Sequence, residues 1–543
     1  MKMRFNADMS SFDSLIQHNL NKQLMGYSKK KIQNHKFGKQ LKNNVKRTWM
    51  SRDMTANTMK CAPNLMAKSL TTLRNELPIS SVRDQIISVV KKCETVVFLG
   101  ETGSGKTTQI PQYLYENNFV AKSGQNNGMI GVTQPRRVAA ITIAERVAQE
   151  MNVQIGSVVG YSVRFEDMSS PQTKIKYLTD GTLLREAISD PLLHKYKVIV
   201  LDEAHERTVQ TDLLLGVIKK AQQLRHQQQR PVLKVIVMSA TMDCDHFSQY
   251  FNKAPVYYIL GRQHTIQMMY AKEKQSDYMN AALVSVFQIH QNEDIGDILV
   301  FSTGEEEIES MIRSVNEVIP QLPLEFQKLR ALPLYSALPI PHQQRVFKRL
   351  ENGFRKVIFA TNIAETSITI PNIKYVVDSG KVKSRSYNSV TGFETLKIQS
   401  ISKAQAAQRA GRAGREMSGV CYRLYTIEEY KGFRDHAIPE IQRCNLANVL
   451  LHLIAIGIND VLNFDFMDKP SEEFLMNDSM SNTMNIKSAL HQLVHFGAIE
   501  AKQDLYYLTD IGNLMVIFPV EPKFSKIIIS SKSMGCTYGC LLI

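Results

Sequence analysis

Cysteine is scarce in this sequence and is scattered along it. The 543 residues contain seven cysteines, and only Cys536 and Cys540 lie close together. An odd, scattered set argues against a disulfide framework and is typical of proteins in a reducing compartment. The close pair has neither a second cysteine pair nor a nearby histidine, so the sequence offers no zinc-binding pattern.

Long hydrophobic runs are absent as well. The longest apolar stretches, such as residues 449–456, fall well short of a membrane-spanning helix of about 20 residues. Near the N-terminus Lys2 and Arg4 precede no apolar core, so we expect no signal peptide. The sequence therefore predicts an intracellular protein without a membrane segment.

Little of the positive charge lies outside the N-terminal region. The formal net charge is +15, but residues 1–60 alone hold thirteen Lys or Arg against three Asp or Glu. The rest of the chain is close to neutral, so any groove for nucleic acid must be a local feature. Residues 1–75 lack sustained periodicity, which predicts a disordered basic tail, with nuclear import or RNA tethering as a secondary role.

A glycine-rich stretch, Gly100–Thr107 with the sequence GETGSGKT, matches the phosphate-binding pattern GxxxxGK[ST]. It follows the apolar run Val96–Leu99 and leads into a stretch that can begin a helix, which is the context that the pattern requires. Its glycines let backbone N–H groups point at an anion near the positive end of that helix. Lys106 would reach the β- and γ-phosphates, and the Thr107 hydroxyl would bind Mg²⁺. A chance match occurs in about two of a hundred chains of this length, and the strand in front makes chance a still poorer explanation.

Short apolar runs alternate with helical stretches from about Leu77 onward, in two successive sets. The runs are 96–99, 129–133, 198–201 and 235–238 in the first set, and 298–301, 357–360, 375–377 and 420–422 in the second. Runs without polar alternation predict parallel strands covered by helices on both faces. The sequence thus predicts an α/β fold with two similar lobes. Only the first lobe carries the glycine loop, which predicts a nucleotide site completed across the interface.

The acidic stretch Asp202-Glu203-Ala204-His205 follows the run 198–201 directly. Ligand sites of α/β sheets lie at the carboxyl ends of their strands. Adjacent carboxylates at such a place can hold Mg²⁺ and orient or activate a water molecule. An exposed acidic turn is the alternative, and the buried run in front of it disfavours that reading.

Seven motifs in a fixed order make the sequence resemble the DEAH-box RNA helicases. They are GETGSGKT, TQPRR, TDG, DEAH, SAT, TNIAETS and QRAGRAGR, and the resemblance covers about residues 77–543. It implies two tandem RecA-like parallel-sheet lobes, followed by a winged-helix domain and the start of a helical ratchet domain. The expected domains are a tail at 1–75, lobes at 76–260 and 261–436, a winged-helix domain at 437–480 and a partial ratchet domain at 481–543.

The resemblance also assigns catalytic roles. Asp202 and Glu203 would complete the metal and water site with Thr107, and His205 would couple that site to the second lobe. Gln408 would help to position the attacking water. Arg412 and Arg415 would act as arginine fingers, which supply charge across an interface and accelerate phosphoryl transfer by about 10³–10⁵. An alternative for residues 408–415 is a basic helix start that touches RNA, with Arg409 as the candidate for that contact.

The implied nucleotide contacts are the phosphate loop and one residue from each lobe that together sandwich the base. They are Gly100, Glu101, Thr102, Gly103, Ser104, Gly105, Lys106, Thr107, Thr108, Arg146 and Phe347. Stacking uses the face of the ring, and every base has one. We therefore expect other nucleoside triphosphates to be accepted beside ATP.

The implied RNA contacts are hydroxyls, backbone amides and a few arginines, which suit a sequence-independent grip on a phosphate track. They are Arg136, Arg137, Arg164, Thr179, Asp180, Ser302, Thr303, Thr361 and Asn362. Residues 381–403, with Asn388 and Gly392 as turn residues, resemble the β-hairpin that the family places as a wedge between strands.

Two features depart from the family pattern. Pro371 stands where the family often has an aspartate for the ribose, and its side chain cannot accept from a hydroxyl. The chain also ends inside the expected ratchet domain, so we expect the rest of that domain and the OB-fold domain to be missing.

The sequence as a whole predicts an ATP-dependent RNA helicase that uses Mg²⁺ and moves 3′→5′ on single-stranded RNA. The expected partners are RNA duplexes, RNA–protein complexes and activator proteins, in the nucleus or nucleolus or else in the cytoplasm. One alternative is an RNA-stimulated ATPase with little unwinding, and another is an RNA-binding module that hydrolyses little. All of the catalytic positions are filled, which argues against the last alternative.

Overall fold

The structure is a computed structural model that describes residues 74–101, 103–120, 128–240, 244–261, 264–348, 350, 353–365, 370–388, 393–469, 486–503 and 505–542. These residues belong to one unit, Arg74–Ile543. Thr102 and residues 1–73 of the predicted tail lie outside the described residues.

The first lobe is built on an eight-stranded sheet. Its strands are β1 Thr95–Gly100, β2 Met129–Gln134, β3 Val159–Val163, β4 Glu166–Met168, β5 Ile175–Thr179, β6 Tyr196–Leu201, β7 Lys234–Ser239 and β8 Val256–Ile259. They lie in the order β4-β3-β5-β2-β6-β7-β1-β8 and are parallel, except that β4 runs antiparallel to β3 at one edge. The predicted apolar runs form β1, β2, β6 and β7, which have neighbours on both sides.

Helices cover both faces of this sheet. They are α1 Arg83–Lys92, α2 Lys106–Glu116, α3 Arg137–Glu150, α4 Asp180–Ser189, α5 Val209–Gln227 and α6 Cys244–Tyr250. Successive residues of β1 point to opposite faces, so Val96 and Phe98 join one core cluster whereas Val97 and Leu99 join the other. Burial on both faces explains why these strands are apolar throughout.

The second lobe has a six-stranded sheet in which all of the strands are parallel. Its strands are β9 Ile266–Tyr270, β10 Asp297–Phe301, β11 Leu329–Leu334, β12 Arg355–Ala360, β13 Ile373–Asp378 and β16 Gly419–Arg423, in the order β11-β12-β10-β13-β16-β9. Its helices are α7 Tyr278–Asn292, α8 Glu305–Val318, α9 Ile340–Gln343, α10 Lys403–Ala410 and α11 Ile427–Lys431. The prediction of an α/β fold with two parallel-sheet lobes is confirmed.

A long hairpin leaves the second lobe between β13 and α10. Its strands, β14 Lys381–Asn388 and β15 Phe393–Ser400, pair antiparallel over their full length. The hairpin is the one predicted from residues 381–403. Its turn, with the predicted turn residue Gly392, lies outside the described residues.

Residues 437–469 and 486–542, except 504, form the part that we call the C-terminal module. It contains the helices α12 Ala447–Ala455, α13 Ile486–His495, α14 Asp510–Ile517, α15 Pro522–Ser533 and α16 Thr537–Leu542. A small antiparallel hairpin, β17 Ile499–Lys502 with β18 Leu505–Leu508, lies between α13 and α14. Among the helices that the structure describes, none is both long and apolar enough to cross a membrane.

Apolar packing joins elements of this module that lie on either side of residue 481, where the sequence predicts a domain boundary. Leu490 of α13, Ile499 of β17 and Met515 of α14 share one core with Leu450 of α12. A helix pair, a small hairpin and a further helix are thus joined by common apolar burial. The predicted boundary itself lies outside the described residues and stays a prediction.

The same core continues into the first lobe through helix α5. A Cβ atom on Gly216 of α5 would lie 2.4 Å from Cζ of Phe464, so only glycine allows this ring to approach the helix. Leu213, Leu214 and Val217 of α5 belong to the cluster that also contains Leu450. The C-terminal module is therefore docked directly on the lobe that carries the phosphate loop.

Candidate active site

The phosphate loop has the local geometry that its sequence predicts. Gly103 and Gly105 have φ values of +88° and +97°, which glycine adopts without strain. Gly105 precedes the first residue of α2, and a Cβ on it would lie 3.0 Å from side-chain atoms of Leu77 and Ile79. The loop thus directs its chain into the N-terminus of α2, where backbone N–H groups and the helix dipole favour an anion.

Lys106 lies buried at the start of α2. Its Nζ donates to the carbonyl oxygens of Gly100 and Glu101, at 2.9 Å for Glu101, and lies 3.4 Å from Oγ of Ser104. Burial lowers the pKa of Lys106, and the nearby Glu203 and Asp202 carboxylates oppose that shift. The ammonium group is therefore held within the loop and close to the acidic pair.

The acidic pair lies at the carboxyl end of β6, beside the ends of β2 and β7. Oδ2 of Asp202 accepts from the Thr107 hydroxyl at 2.5 Å and from Nε2 of Gln134 at 2.6 Å. Oδ1 of Asp202 accepts from the backbone N–H of Glu203 at 2.9 Å. The pKa of Asp202 is raised by burial and by the Glu203 carboxylate, against these hydrogen bonds and Lys106. Gln134 was not among the predicted site residues, although it lies in the TQPRR motif.

These oxygens fit a hard divalent cation. A hydroxyl and two carboxylates are the ligand type that Mg²⁺ prefers, and Mg²⁺ usually takes only one or two carboxylates together with phosphate oxygens. Within the described part of the chain, no group of three or more His, Cys, Asp or Glu side chains could hold a metal. Thr107 and Asp202, which share a hydrogen bond, would hold Mg²⁺ together with the nucleotide, and the part of Glu203 in the metal site stays a prediction.

His205 ties the acidic turn to the next strand. Its Nδ1 accepts from the backbone N–H of Ala240, just after β7, at 3.2 Å, and its Nε2 lies 3.4 Å from Oε2 of Glu203. Burial lowers the pKa of His205, which favours the neutral ring. Because Nδ1 accepts, the single ring proton of the neutral form is assigned to Nε2, on the side of Glu203.

Arginines of the second lobe reach this site. Burial lowers the pKa of Arg412 and lowers that of Arg415 to about 10, and the Glu203 carboxylate opposes both shifts. Arg415 in turn lowers the pKa of Lys106, and Arg412 lowers that of His205. Charged side chains of the two lobes therefore influence one another electrostatically.

Glu365, in the TNIAETS motif, holds one of these arginines. The guanidinium of Arg412 donates to the backbone carbonyl of Glu365. Gln408 of α10 lines a cavity of about 750 Å³ together with His205 and Glu365. Glu365 therefore contacts Arg412 and also lines the cavity that Gln408 and His205 share.

Arg409 does not have the RNA-contacting role that the sequence suggested for it. Its side chain is 0% exposed and pairs with Glu365 at 2.7 Å and with Asp378 at 2.8 Å. Its guanidinium also lies over the ring of Phe301, 4.8 Å from the centroid. A side chain enclosed in this way cannot contact RNA, so Arg409 is a structural residue of the second lobe.

The predicted base sandwich has one member on each lobe. Nε of Arg146, on α3, pairs with Oε1 of Glu150 at 2.7 Å, and its side chain is half exposed. Phe347 lies in a short 3₁₀ turn, Gln344–Phe347, and packs partly buried against the core of the second lobe. Their joint action on a base remains a prediction.

Several predicted RNA contacts border the large cavity between the lobes and the hairpin. Arg136 donates to Oε2 of Glu206 at 3.0 Å and to the carbonyl of Asn362, in the other lobe, at 3.4 Å. Arg136 and Asn362 both line the cavity. Arg137 is exposed at the start of α3, and the Thr361 hydroxyl caps the 3₁₀ turn that begins at Asn362.

Two further predicted contacts lie at the surface of the first lobe. Arg164 is exposed, donates to the carbonyl of Pro519 at 2.8 Å and lies over the ring of Phe165. The hydroxyl of Thr179 pairs with that of Thr182 at 2.7 Å, at the start of α4. Arg164 thus also connects the lobe to the C-terminal module.

Three predicted RNA contacts have buried side chains. Asp180 is 1% exposed and accepts from the Thr211 hydroxyl at 2.5 Å, and burial raises its pKa to about 6. Ser302 and Thr303 are buried at the end of β10, and the backbone N–H of Thr303 donates to Oε2 of Glu307. The Asp180 side chain is therefore enclosed within the first lobe, and the predicted RNA contact at residues 180–181 stays a prediction.

Two parallel-sheet lobes, a phosphate loop on one and arginines supplied by the other define the two-lobed helicase class. Two family models match the chain: "DEAD/DEAH box helicase" over residues 80–249 and "Helicase conserved C-terminal domain" over residues 278–416. The chain is 54% identical over 477 residues to "ATP-dependent RNA helicase DHX33" of Mus musculus, covering 88% of this chain and 66% of that protein.

A second relative and a solved structure agree. The chain is 44% identical over 517 residues to "Pre-mRNA-splicing factor ATP-dependent RNA helicase DEAH10" of Arabidopsis thaliana, covering 89% of this chain and 70% of that protein. The crystal structure of the DEAH/RHA helicase HrpB of Escherichia coli matches with a TM-score of 0.72 at 30% identity, covering 84% of this chain and 54% of that one. This chain belongs to the DEAH-box ATP-dependent RNA helicase family, and it spans just under two thirds of the mouse relative.

Proposed function

We propose that this chain is an RNA-stimulated nucleoside triphosphatase that moves 3′→5′ along single-stranded RNA and opens duplexes or remodels RNA–protein complexes. The observation that carries the proposal is the meeting of two half-sites. Lys106, Thr107 and the Asp202–Glu203 pair come from one lobe, and the Glu203 carboxylate acts electrostatically on Arg412 and Arg415 of the other.

Each side chain has a role in phosphoryl transfer. The loop N–H groups and Lys106 bind the β- and γ-phosphates. Thr107 and Asp202 would hold Mg²⁺, which would supply positive charge against the charge that develops on the phosphates. Glu203 accepts the proton of the attacking water, which Gln408 orients. Arg412 and Arg415 stabilise charge that develops in the transition state. A site divided between lobes works only when the lobes are closed, so hydrolysis can be linked to their relative movement.

The RNA path proposed here is the cavity bordered by Arg136, Asn362 and the hairpin β14–β15. Its contacts are hydroxyls, carbonyls and a few cations, which suits binding to the RNA backbone irrespective of sequence. We further propose that α12, α13 and the hairpin β17–β18 serve as the winged-helix unit and that α14–α16 begin the ratchet, a later division than the one predicted at residue 481. The helices of the C-terminal module and the hairpin β14–β15 would then enclose the RNA strand against both lobes.

The test compares wild type with Lys106→Ala. ATP hydrolysis is measured with and without single-stranded RNA. Binding of a fluorescent single-stranded RNA is measured with and without ATP. Lys106→Ala should lower kcat/KM by about 10³ or more and leave RNA affinity measurable, because Lys106 serves the phosphates alone. Lys92→Ala, which removes an exposed lysine of α1, is the matched control.

Direction and unwinding need a second measurement on the same preparations. Duplexes with a 3′ or a 5′ single-stranded extension are incubated with ATP, and strand release is followed. Release from the 3′-extended duplex alone supports the proposal. Normal hydrolysis by Lys106→Ala would refute the site, and RNA-stimulated hydrolysis without strand release would favour an ATPase that remodels complexes without unwinding.

A further inference from the structure

Arg207 is held by the first lobe just after the acidic turn. Its backbone is left-handed, with φ +48°, and its side chain is buried. Nε donates to Oδ1 of Asp212 at 2.6 Å and Nη2 donates to Oδ2 at 3.0 Å, a bidentate pair with a buried carboxylate of α5. This contact fixes the guanidinium relative to helix α5, while the Arg207 backbone follows directly on the turn that carries Glu203.

The same guanidinium also binds the C-terminal module. Nη2 of Arg207 donates to Oδ2 of Asp468, whose other oxygen lies 3.4 Å from Nε2 of His246 on α6. The module makes two further contacts with this loop. The backbone N–H of Glu440 donates to the carbonyl of Arg207 at 3.1 Å, and the Glu440 carboxylate accepts from the backbone N–H of Val209 at 3.1 Å. Residues 207–209 are thus attached to the module through three contacts. They are the Arg207–Asp468 ion pair, one backbone–backbone hydrogen bond, and one hydrogen bond from a backbone N–H to the Glu440 carboxylate.

The residue before Arg207 makes the connection to the other lobe. Glu206 pairs with Arg136, which donates to the carbonyl of Asn362. Two consecutive side chains after the acidic turn therefore link it to the second lobe and to the C-terminal module. The 750 Å³ cavity is lined by all four side chains of these two ion pairs: Arg136, Glu206, Arg207 and Asp468. A molecule bound in the cavity would therefore lie against the Arg136–Glu206 pair and the Arg207–Asp468 pair.

We propose that Arg207 and Asp468 form a positioning pair that makes hydrolysis respond to RNA in the cavity. The inference rests on the proposed function. RNA held against the C-terminal module sets the position of Asp468, and Arg207 transmits that position to the turn that carries Glu203 and His205. Neither side chain touches the nucleotide, and both act through the catalytic turn.

A second ion pair provides a matched control. Nζ of Lys219 lies 2.7 Å from Oδ2 of Asp465, so this pair also joins α5 to the C-terminal module. The side chain of Asp465 is 61% exposed, compared with 24% for that of Asp468. Among the hydrogen bonds of the described residues, none joins the Asp465 side chain to residues 207–209. Loss of Asp465 therefore removes a docking contact without disturbing the positioning pair.

The experiment measures three quantities for wild type, Asp468→Ala, Asp468→Glu and Asp465→Ala. They are kcat for ATP without RNA, kcat with saturating single-stranded RNA, and the Kd for that RNA. Asp468→Ala should lower the RNA-stimulated kcat at least about fivefold, a typical size for coupling between sites, and change the RNA-free kcat less than about twofold. The Kd of each variant sets the RNA concentration that saturates it. Asp468→Glu keeps the carboxylate and should recover most of the stimulation, whereas Asp465→Ala should resemble wild type.

Arg207→Lys gives an independent check. Lysine keeps the charge but lacks the planar fork, so it cannot serve two carboxylates in the same way. Stimulation should fall to the level of Asp468→Ala, and combining the two changes should add nothing further. Equal losses in Asp465→Ala and Asp468→Ala, or a parallel loss of the RNA-free rate, would overturn the inference by showing a docking or folding role. A wild-type chain without RNA stimulation would instead overturn the proposed function itself.

Discussion

At the scale of single residues, three arginines of one motif have different surroundings. Arg409 is enclosed by the carboxylates of Glu365 and Asp378. Arg412 donates to the carbonyl of Glu365 and, with Arg415, lies near Glu203. Arg409 therefore stabilises the second lobe, and Arg412 and Arg415 are the candidates for the site between the lobes.

Arg412→Ala and Arg415→Ala should each lower kcat for ATP hydrolysis by about 10³ or more while changing nucleotide affinity only about threefold. The reason is that a finger acts on charge that develops in the transition state. Steady-state kinetics combined with equilibrium nucleotide binding would check this. A collapse of affinity with an intact kcat would show that these arginines bind the ground state or the RNA.

Arg409→Ala serves as the contrasting variant. Removing this cation leaves two buried carboxylates without their partner, and breaking a buried ion pair costs about 3–5 kcal/mol. We therefore expect a clear loss in the free energy of unfolding, measured by chemical denaturation. Arg412→Ala and Arg415→Ala should unfold much closer to wild type, and a stable Arg409→Ala protein would contradict the structural role.

At the scale of elements, helix α5 connects the phosphate-loop lobe to the C-terminal module. Gly216 lies in the middle of this helix, where glycine ordinarily costs about 0.5–1 kcal/mol relative to alanine. Here the missing side chain allows Phe464, which packs edge-on against Phe466, to approach the helix backbone. The close approach explains why a residue with poor helix propensity occupies this position.

Gly216→Ala should therefore destabilise the protein by about 1–3 kcal/mol, the usual cost of overpacking, instead of stabilising the helix. The added Cβ would lie 2.4 Å from the Phe464 ring, which must move. Thermal unfolding of this variant would check the sign. Gly216→Ala combined with Phe464→Leu removes the clash and should recover part of the loss, and an increase in stability for Gly216→Ala alone would contradict the packing argument.

At the scale of the whole molecule, we propose that nucleotide choice depends on one residue from each lobe. Arg146 and Phe347 belong to different lobes, and contact with the face of a base does not distinguish one base from another. Discrimination requires groups that pair with the edge of the base and remain unpaired when the wrong base binds. The chain would therefore accept several nucleotides in its closed form.

We expect kcat/KM values for ATP, GTP, CTP and UTP to agree within about tenfold, or 1.4 kcal/mol. The four ribonucleotides are compared in steady state under saturating RNA. Arg146→Ala should lower kcat/KM for all four alike, because it removes a contact that they share. A preference for ATP above about a hundredfold would reveal a contact with the adenine edge.

The comparison with dATP tests a second feature of the same site. Pro371 cannot accept a hydrogen bond from the ribose through its side chain, so dATP should be used nearly as well as ATP. Pro371→Asp is the informative variant, because it restores an acceptor at that position. A gain in ATP over dATP in this variant would support the assignment, whereas a strong ribose preference in wild type would contradict it.

The sequence alone determined the lobes and the phosphate loop. Uniformly apolar runs formed the central parallel strands, and the glycines of Gly100–Thr107 adopted the turn that their spacing predicts. These features depend on residues within a dozen positions of one another, where backbone preferences and strand burial act locally. The order of the seven motifs then predicted the family that the comparisons show.

Only the tertiary structure decided which charged side chains reach the site. Arg409 finds its partners 44 and 31 residues away, and Arg207 finds Asp468 at a separation of 261 residues. Asp180 is enclosed by Thr211, from the next helix. Whether a charge faces a ligand or a buried partner depends on which distant segments pack around it. Burial without a partner is costly, so this packing, rather than the motif, determines the role of each charge.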